Sequence, residues 1–410
     1  MCDVPALRFP EFIKSWECSI LEKLSKKIGD GIHSTPSYDD NGTFYFINGN
    51  NLNGGKIVIT SSTKRVSEKE AYKNNAENLE ANSILMSING TIGNVALYHN
   101  EPIMLGKSAC YINSKDNIDK NYLFYYLQYP KTQLYFEAEL TGTTIKNLSL
   151  QSIRKTKIYI PTIEEQHKIS RFLQKIDERI STQNKIIEDL KKLKSAIIEK
   201  VFCPPNQKQP VCRIKGFEQP LTTYKMNAFC SRIATKNMDA KCSLVLTIAA
   251  QYGLVNQGSF FNKSVASENL TGYYLLHKGE FAYNRSYSAG YDWRTVKRLD
   301  NCDEGVLSTL YICFKINETI VDSDFLTYYF ESTKWHKGLS DIAGEGARNH
   351  GLLNVSMTDY FNTKHRFPSM EEQKVIAKML NAITEREKKA IVLGECYRKQ
   401  KQFLLCQMFI

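Results

Sequence analysis

The chain has 410 residues, 42% hydrophobic and 11% aromatic, so it is long enough for two or three cores and too apolar for a disordered protein. A formal charge of +11 favours a polyanionic partner, although many plain cytosolic proteins share such an excess. Eleven cysteines without a CxxC or a zinc-spaced Cys/His cluster, no apolar signal core in MCDVPALRFPEF and no apolar run of spanning length argue against a disulfide framework, a metal site and a membrane protein; they predict free thiols in a reducing cytoplasm.

Residues 1–160 read as a first globular region. After LRFPEF (7–12) come the β-like runs FYFI (44–47), KIVI (56–59), SILMSI (83–88) and VALYH (95–99). Between them lie the turn-rich stretches GDGIHSTPSYDDNG (29–42), NGNNLNGG (48–55) and NGTIGN (89–94). His33, Asn48, Asn50, Asn51 and Lys146 are DNA-binding candidates here. An asparagine amide matches the major-groove edge of adenine, and a cation neutralises phosphate, whereas asparagine-rich turns are commonly only turns. LGKSA (105–109) resembles the end of a phosphate loop, but Glu101 stands where the first glycine belongs and no long helix follows. The stretch YLFYYLQYPKTQLYFE (122–137) predicts one helix with a broad aromatic face.

Residues 161–203 predict a long helix. Ile169, Leu173, Ile176, Ile180, Ile187, Leu190, Ile197 and Val201 follow a 4-3 spacing, with Gln183 and Lys194 in the two remaining seam positions. Thr162 and Glu165 fit a capping box, and Glu164 adds charge where the helix dipole favours it. About 40 helical residues at about 1.5 Å each span about 60 Å. Such a seam is covered by a second helix, either in the same chain or in a dimer.

Residues 204–366 read as a second globular region, with SLVLTIAA (243–250), EFAYNRS (280–286) and LSTLYICFKI (307–316) as strands and FLTYYFEST (325–333) as a helix. YNRSYSAGYDWRTVKRL (283–299) interleaves cations with aromatics; Arg285, Tyr287, Arg294, Lys297 and Arg298 are its DNA-binding candidates, against the reading of a solvated basic strand pair. Arg348, Asn349 and His350 in GEGARNHGLLN (344–354) are further candidates. Residues 367–410 then repeat the long helix: PTIEEQHKI (161–169) recurs as PSMEEQKVI (368–376), and the two segments align without a gap, Pro161 on Pro368 to Phe202 on Phe409, an offset of 207. Ile376, Leu380 and Ile383 continue the seam, which departs from a clean pattern at Glu387 and Gly394. Both copies of Glu-Glu-Gln sit at helix starts with no accompanying His or metal set, so the paired carboxylates read as scaffolding and no catalytic residue is assigned. LRFPEF is weakly echoed by CRIKGF (212–217), and YLFYYL by FLTYYF. The expected fold is α+β or α/β: two globular domains and two long antiparallel helices forming an intramolecular coiled coil, with a pseudo-twofold internal repeat.

Taken together, IPTIEEQHKISRFLQKIDERI, its second copy FPSMEEQKVIAKMLNAITERE, LRFPEF with Trp16, GDGIHSTP, NGTIGN and GEGARN resemble the specificity subunit of type I restriction–modification systems. The resemblance covers essentially all of the chain. It implies two target-recognition domains, 1–160 and 204–366, each reading half of a bipartite asymmetric site in double-stranded DNA. The helices 161–203 and 367–410 would fix the gap and dock two methyltransferase subunits, with restriction-translocase subunits joining. S-adenosylmethionine, ATP and magnesium would then be bound in those partners and no cofactor by this chain, in keeping with the lack of an Asn/Asp-Pro-Pro-Tyr/Phe motif; CPPN (203–206) is not one. The competing readings are a DNA methyltransferase or nuclease with dispersed motifs, and a coiled-coil adaptor without a nucleic-acid role.

Overall fold

The computed structural model describes residues 4–74, 76–142, 146–249, 252–261, 269–285, 295–342 and 355–410. The chain divides into two compact units, the first Met1–Asn184 with Val392–Ile410 and the second Lys185–Ile391.

In the first unit a four-stranded antiparallel sheet has the order Ser25–Asp30, Ala109–Ser114, Ser83–Ser87, Val95–Leu97. Its two central strands are buried at every position, so they read as continuous rather than alternating apolar runs. NGTIGN turns the hairpin between the last two strands, with Gly90 and Gly93 at φ 74° and 82°, where a side chain would be strained. Phe44–Ile47 lies between Arg65–Val66, antiparallel, and Ile103–Leu105, parallel. Of KIVI, Lys56–Ile57 forms a strand against Leu52–Asn53, and Val58 N extends the pairing by donating to Asn51 O at 2.7 Å. The single helix expected over 122–137 is two, Lys120–Leu127 and Pro130–Ala138. Pro130 has no amide hydrogen to continue the first helix and a φ suited to opening the second.

The second unit repeats the plan. Its four-stranded sheet runs Cys230–Arg232, Ile312–Ile316, Phe281–Asn284, Thr295–Arg298. LSTLYICFKI is not one strand, because Leu307 closes Glu304–Leu307 and Ile312 opens Ile312–Ile316. The aromatic helix is Ser323–Glu331, whose cap residue Asp322 accepts from Phe325 N at 2.9 Å. In each unit a short antiparallel pair leads into a long helix: Glu17–Ile20 with Lys157–Ile160, and Thr222–Lys225 with Lys364–Phe367.

The long helices are Ile163–Val201 and Met370–Met408, 39 residues each and still at the offset of 207. In the first unit Ile169, Leu173 and Ile176 share a core with Leu404, Leu405, Met408 and Phe409. In the second, Ile198 and Phe202 share one with Ile376, Ala377 and Leu380. The helices run antiparallel within each unit. Asp177 meets Lys401 at 2.8 Å and Asn184 accepts from Arg398 at 2.7 Å in the first; Lys194 meets Glu387 at 3.2 Å in the second. The final phenylalanine of each repeat is a core anchor. Phe409 packs 5.4 and 5.2 Å from the rings of Tyr122 and Tyr126, and Phe202 lies 5.1 and 5.6 Å from Phe325 and Tyr329. No helix among the described residues is long and apolar enough to cross a membrane, and the described cysteines are all free thiols.

Candidate nucleic-acid interface

The repeated Glu-Glu-Gln is a double staple. The Thr162 and Ser369 hydroxyls accept from the amides of Glu165 and Glu372 at 3.5 and 3.4 Å, half of the expected capping box. The carboxylates of Glu165 and Glu372 do not close the other half. Each is instead bridged by an arginine from the entry segment. Arg8 Nε and Nη2 donate to Glu165 at 2.8 Å each; Arg213 Nε and Nη2 donate to Glu372 at 3.1 and 2.8 Å. The same Nη2 atoms donate to the carbonyls of Lys14 and Gln219, so the echo between LRFPEF and CRIKGF is one structural device used twice. Both carboxylates are buried, at 0% and 2% exposure, and two-pronged pairing is what makes such burial tolerable. Glu164 and Glu371 take the helix-start role. Hydrogen bonds from their own amides and the cap hydroxyls hold both carboxyls below the usual range. Gln166 accepts from Asp119 N at 3.1 Å and donates to Pro161 O at 3.0 Å, while Gln373 accepts from Asp322 N at 2.9 Å and donates to Pro368 O at 3.0 Å. The glutamines thereby lock each aromatic-helix cap to a long-helix start.

Along the seam, Ile169, Leu173, Ile176, Ile376 and Leu380 are buried, while Ile180, Ile187, Leu190, Ile197 and Ile383 are half-buried. The five buried residues lie inside the unit cores, so any docking face on these helices is built from other positions. Glu387, where the second copy breaks the pattern, forms its ion pair with Lys194, where the first copy does. Ala390 and Gly394 are small and buried.

Three of the first-unit candidates converge. Asn48, Asn50 and Asn51 line one groove of about 430 Å³ together with Tyr38, Thr60, Ser62, Thr63 and Lys64. Asn48 Oδ1 accepts from Ser108 Oγ at 2.9 Å; Asn51 Oδ1 accepts from Asn48 N at 3.0 Å and its Nδ2 donates to Val58 O at 3.1 Å. Those two amides shape the loop, whereas Asn50 is exposed. Lys64 Nζ stands 4.2 Å from the centre of the Tyr38 ring. His33 is exposed and bonded to Asp30 at 2.8 Å, and Lys146 is exposed; neither lines the groove. Tyr38 and Lys64 were missed by sequence reading, since a lone tyrosine and lysine carry no local signal.

In the second unit Arg285 Nε donates to Leu310 O at 3.0 Å. Arg298 is engaged by Asp300 at 2.6 Å and Asp324 at 2.8 Å. Lys297 has its pKa lowered by burial, and both residues line a cleft with Lys194 and Lys388. Tyr287, Arg294, Arg348, Asn349 and His350 lie outside the described residues. No group of His, Cys, Asp and Glu suited to a metal occurs among the described residues.

Residues 14–192 match the model of the type I restriction modification DNA specificity domain. Over 334 residues the chain is 26% identical to a Methanocaldococcus jannaschii protein provisionally described as the type I restriction enzyme MjaX specificity subunit, covering 76% of this chain and 71% of that one. It is 28% identical over 145 residues to the type I restriction enzyme MjaVIII specificity subunit of the same organism, about a third of each: 35% and 32%. The crystal structure of a type I restriction–modification S subunit from M. genitalium shares the fold, with a TM-score of 0.55 at 15% identity over 99% of both chains.

Proposed function

We propose that this chain belongs to the type I restriction–modification DNA specificity family, which its residues 14–192 match, and that it is the noncatalytic reader of a bipartite DNA site. The observation that carries the proposal is the specificity-domain match over residues 14–192 in a chain whose second half repeats the same staple, sheet order and helix. Two copies of one reading fold in a single chain suit two different half-sites. Residues 1–160 and 204–366 are the two target-recognition domains in this reading, and the residues between half-sites are skipped. Methyltransferase subunits, two per chain, dock on the long helices, and restriction-translocase subunits complete the assembly. S-adenosylmethionine, ATP and magnesium act in those partners, and the work is done in the cytoplasm.

Mapping methylated motifs in cells with and without this chain tests the reading. The expected result is one split motif that disappears with the chain. A methylome that does not change overturns it. Incubating the purified chain with labelled S-adenosylmethionine and duplex DNA tests the noncatalytic part: methylation by the chain alone would show an enzyme with dispersed motifs instead.

A further inference from the structure

The groove in the first unit is built for more than turn formation. Asn50 projects from a single 3-10 turn, Gly49–Asn51, that is fixed on both sides. Gly49 N donates to Ser108 Oγ at 2.9 Å and Gly49 O accepts from Thr91 Oγ1 at 3.1 Å. A Cβ on Gly49 would stand 2.2 Å from Ser87 Oγ, so only glycine fits. Asn48 Oδ1 and both ends of the Asn51 amide are engaged in this loop, while the exposed Asn50 has no hydrogen-bond partner among the described residues. Across the groove, Thr60, Ser62 and Thr63 form a hydroxyl cluster, with Thr60 Oγ1 2.9 Å from Ser62 Oγ. Among the described residues of the lining Lys64 is the one charged side chain, and none carries a carboxylate that would repel a phosphate.

We infer that this groove reads part of the half-site of the first unit, with Asn50 bonding the major-groove edge of an adenine and Lys64 contacting the DNA backbone. The inference rests on the proposed role as a DNA reader. An asparagine amide offers one acceptor and one donor in a fixed fork, which matches the N6 donor and N7 acceptor of adenine. A lysine ammonium is a point charge without that fork and suits phosphate. A loop that needs no ordering on contact loses less binding free energy to immobilisation.

The test uses the full chain assembled with its methyltransferase subunits, as wild type, Asn50→Ala and Lys64→Ala. Asn50→Ala is expected to relax one A·T position in one half of the methylated motif, by about tenfold in preference, leaving the other half and the gap unchanged. Lys64→Ala is expected to weaken all duplexes alike and to lower the slope of log affinity against log salt by about 0.9. For a variant that no longer methylates, binding to duplexes altered at single positions decides: lost preference at one position supports the assignment, and retained preference overturns it. A motif unchanged in Asn50→Ala, or relaxed in both halves, also overturns it. If the wild-type chain selects no motif, the DNA-reader role itself fails, a different result from a wild-type motif that Asn50→Ala leaves intact.

Discussion

Arg213 ties the entry segment of the second unit to the start of its long helix. Its guanidinium spans 159 positions in the chain to neutralise Glu372, a carboxylate with 2% exposure. Removing one partner of a buried pair leaves an uncompensated charge, at a cost of about 3–5 kcal/mol. Arg213→Ala is therefore expected to lower the stability of that unit by about this amount in urea unfolding; Arg213→Lys, which keeps the charge and loses the fork, should fall between. His365 makes a second prediction. Thr363 Oγ1 donates to Tyr360 O at 2.7 Å, so it accepts from His365 Nε2 at 2.8 Å, and Nδ1 accepts from the Tyr329 hydroxyl at 3.0 Å. That is a neutral imidazole, and burial pushes its pKa down to about 3. The unfolded chain takes up the proton near pH 6.5 and the folded one does not, so this contribution is present above about pH 6.5 and is lost as pH falls from there toward 3. The repeat places Ile158 at the equivalent position of the first unit, so His365→Ile is a native-like replacement. Unfolding followed from pH 7 to pH 5 should show wild type losing up to about 1.4 kcal/mol per pH unit more than His365→Ile.

At the scale of elements, the seam is graded rather than uniform. Leu173 is fully buried in the first-unit core, whereas Leu190 is half-buried. Leu173→Ala should cost about 2–5 kcal/mol, and Leu190→Ala clearly less, as denaturant midpoints at constant m would show. The two long helices were legible in the sequence because heptad spacing and a recurring start motif are local information, and their observed ends keep the same offset. The break at Pro130 was legible too, had the proline been weighed above the aromatic run. The role of Glu165 was not. Its partner Arg8 is 157 positions away, and a capping box explains the same letters locally. The groove was half legible. Its asparagines stand in one turn, but Lys64 reaches it only because Phe46 N donates to Lys64 O at 2.9 Å, a pairing that no periodicity announces.

For the whole molecule, the pairing of helix positions is the quantity to perturb. Asp177 with Lys401, Asn184 with Arg398 and Lys194 with Glu387 describe the antiparallel alignment seen inside each unit. Gln183 and Ala390 occupy equivalent positions of the repeat, and both are buried. Four residues advance a helix by about 6 Å and return it nearly to the same face, since 3.6 make a turn. Inserting four helix-forming residues after Gln183 and four more after Ala390 therefore preserves both seams, whereas two after each turn the apolar face away. If helix length sets the gap, the first variant is expected to methylate a motif with unchanged half-sites and a gap longer by about one to two base pairs, given about 34–36 Å for each 10–10.5 base pairs. The two-residue variant should lose assembly. Methylome sequencing of both reads the result directly, and an unchanged gap in the four-residue variant would mean that something other than these helices measures the distance between half-sites.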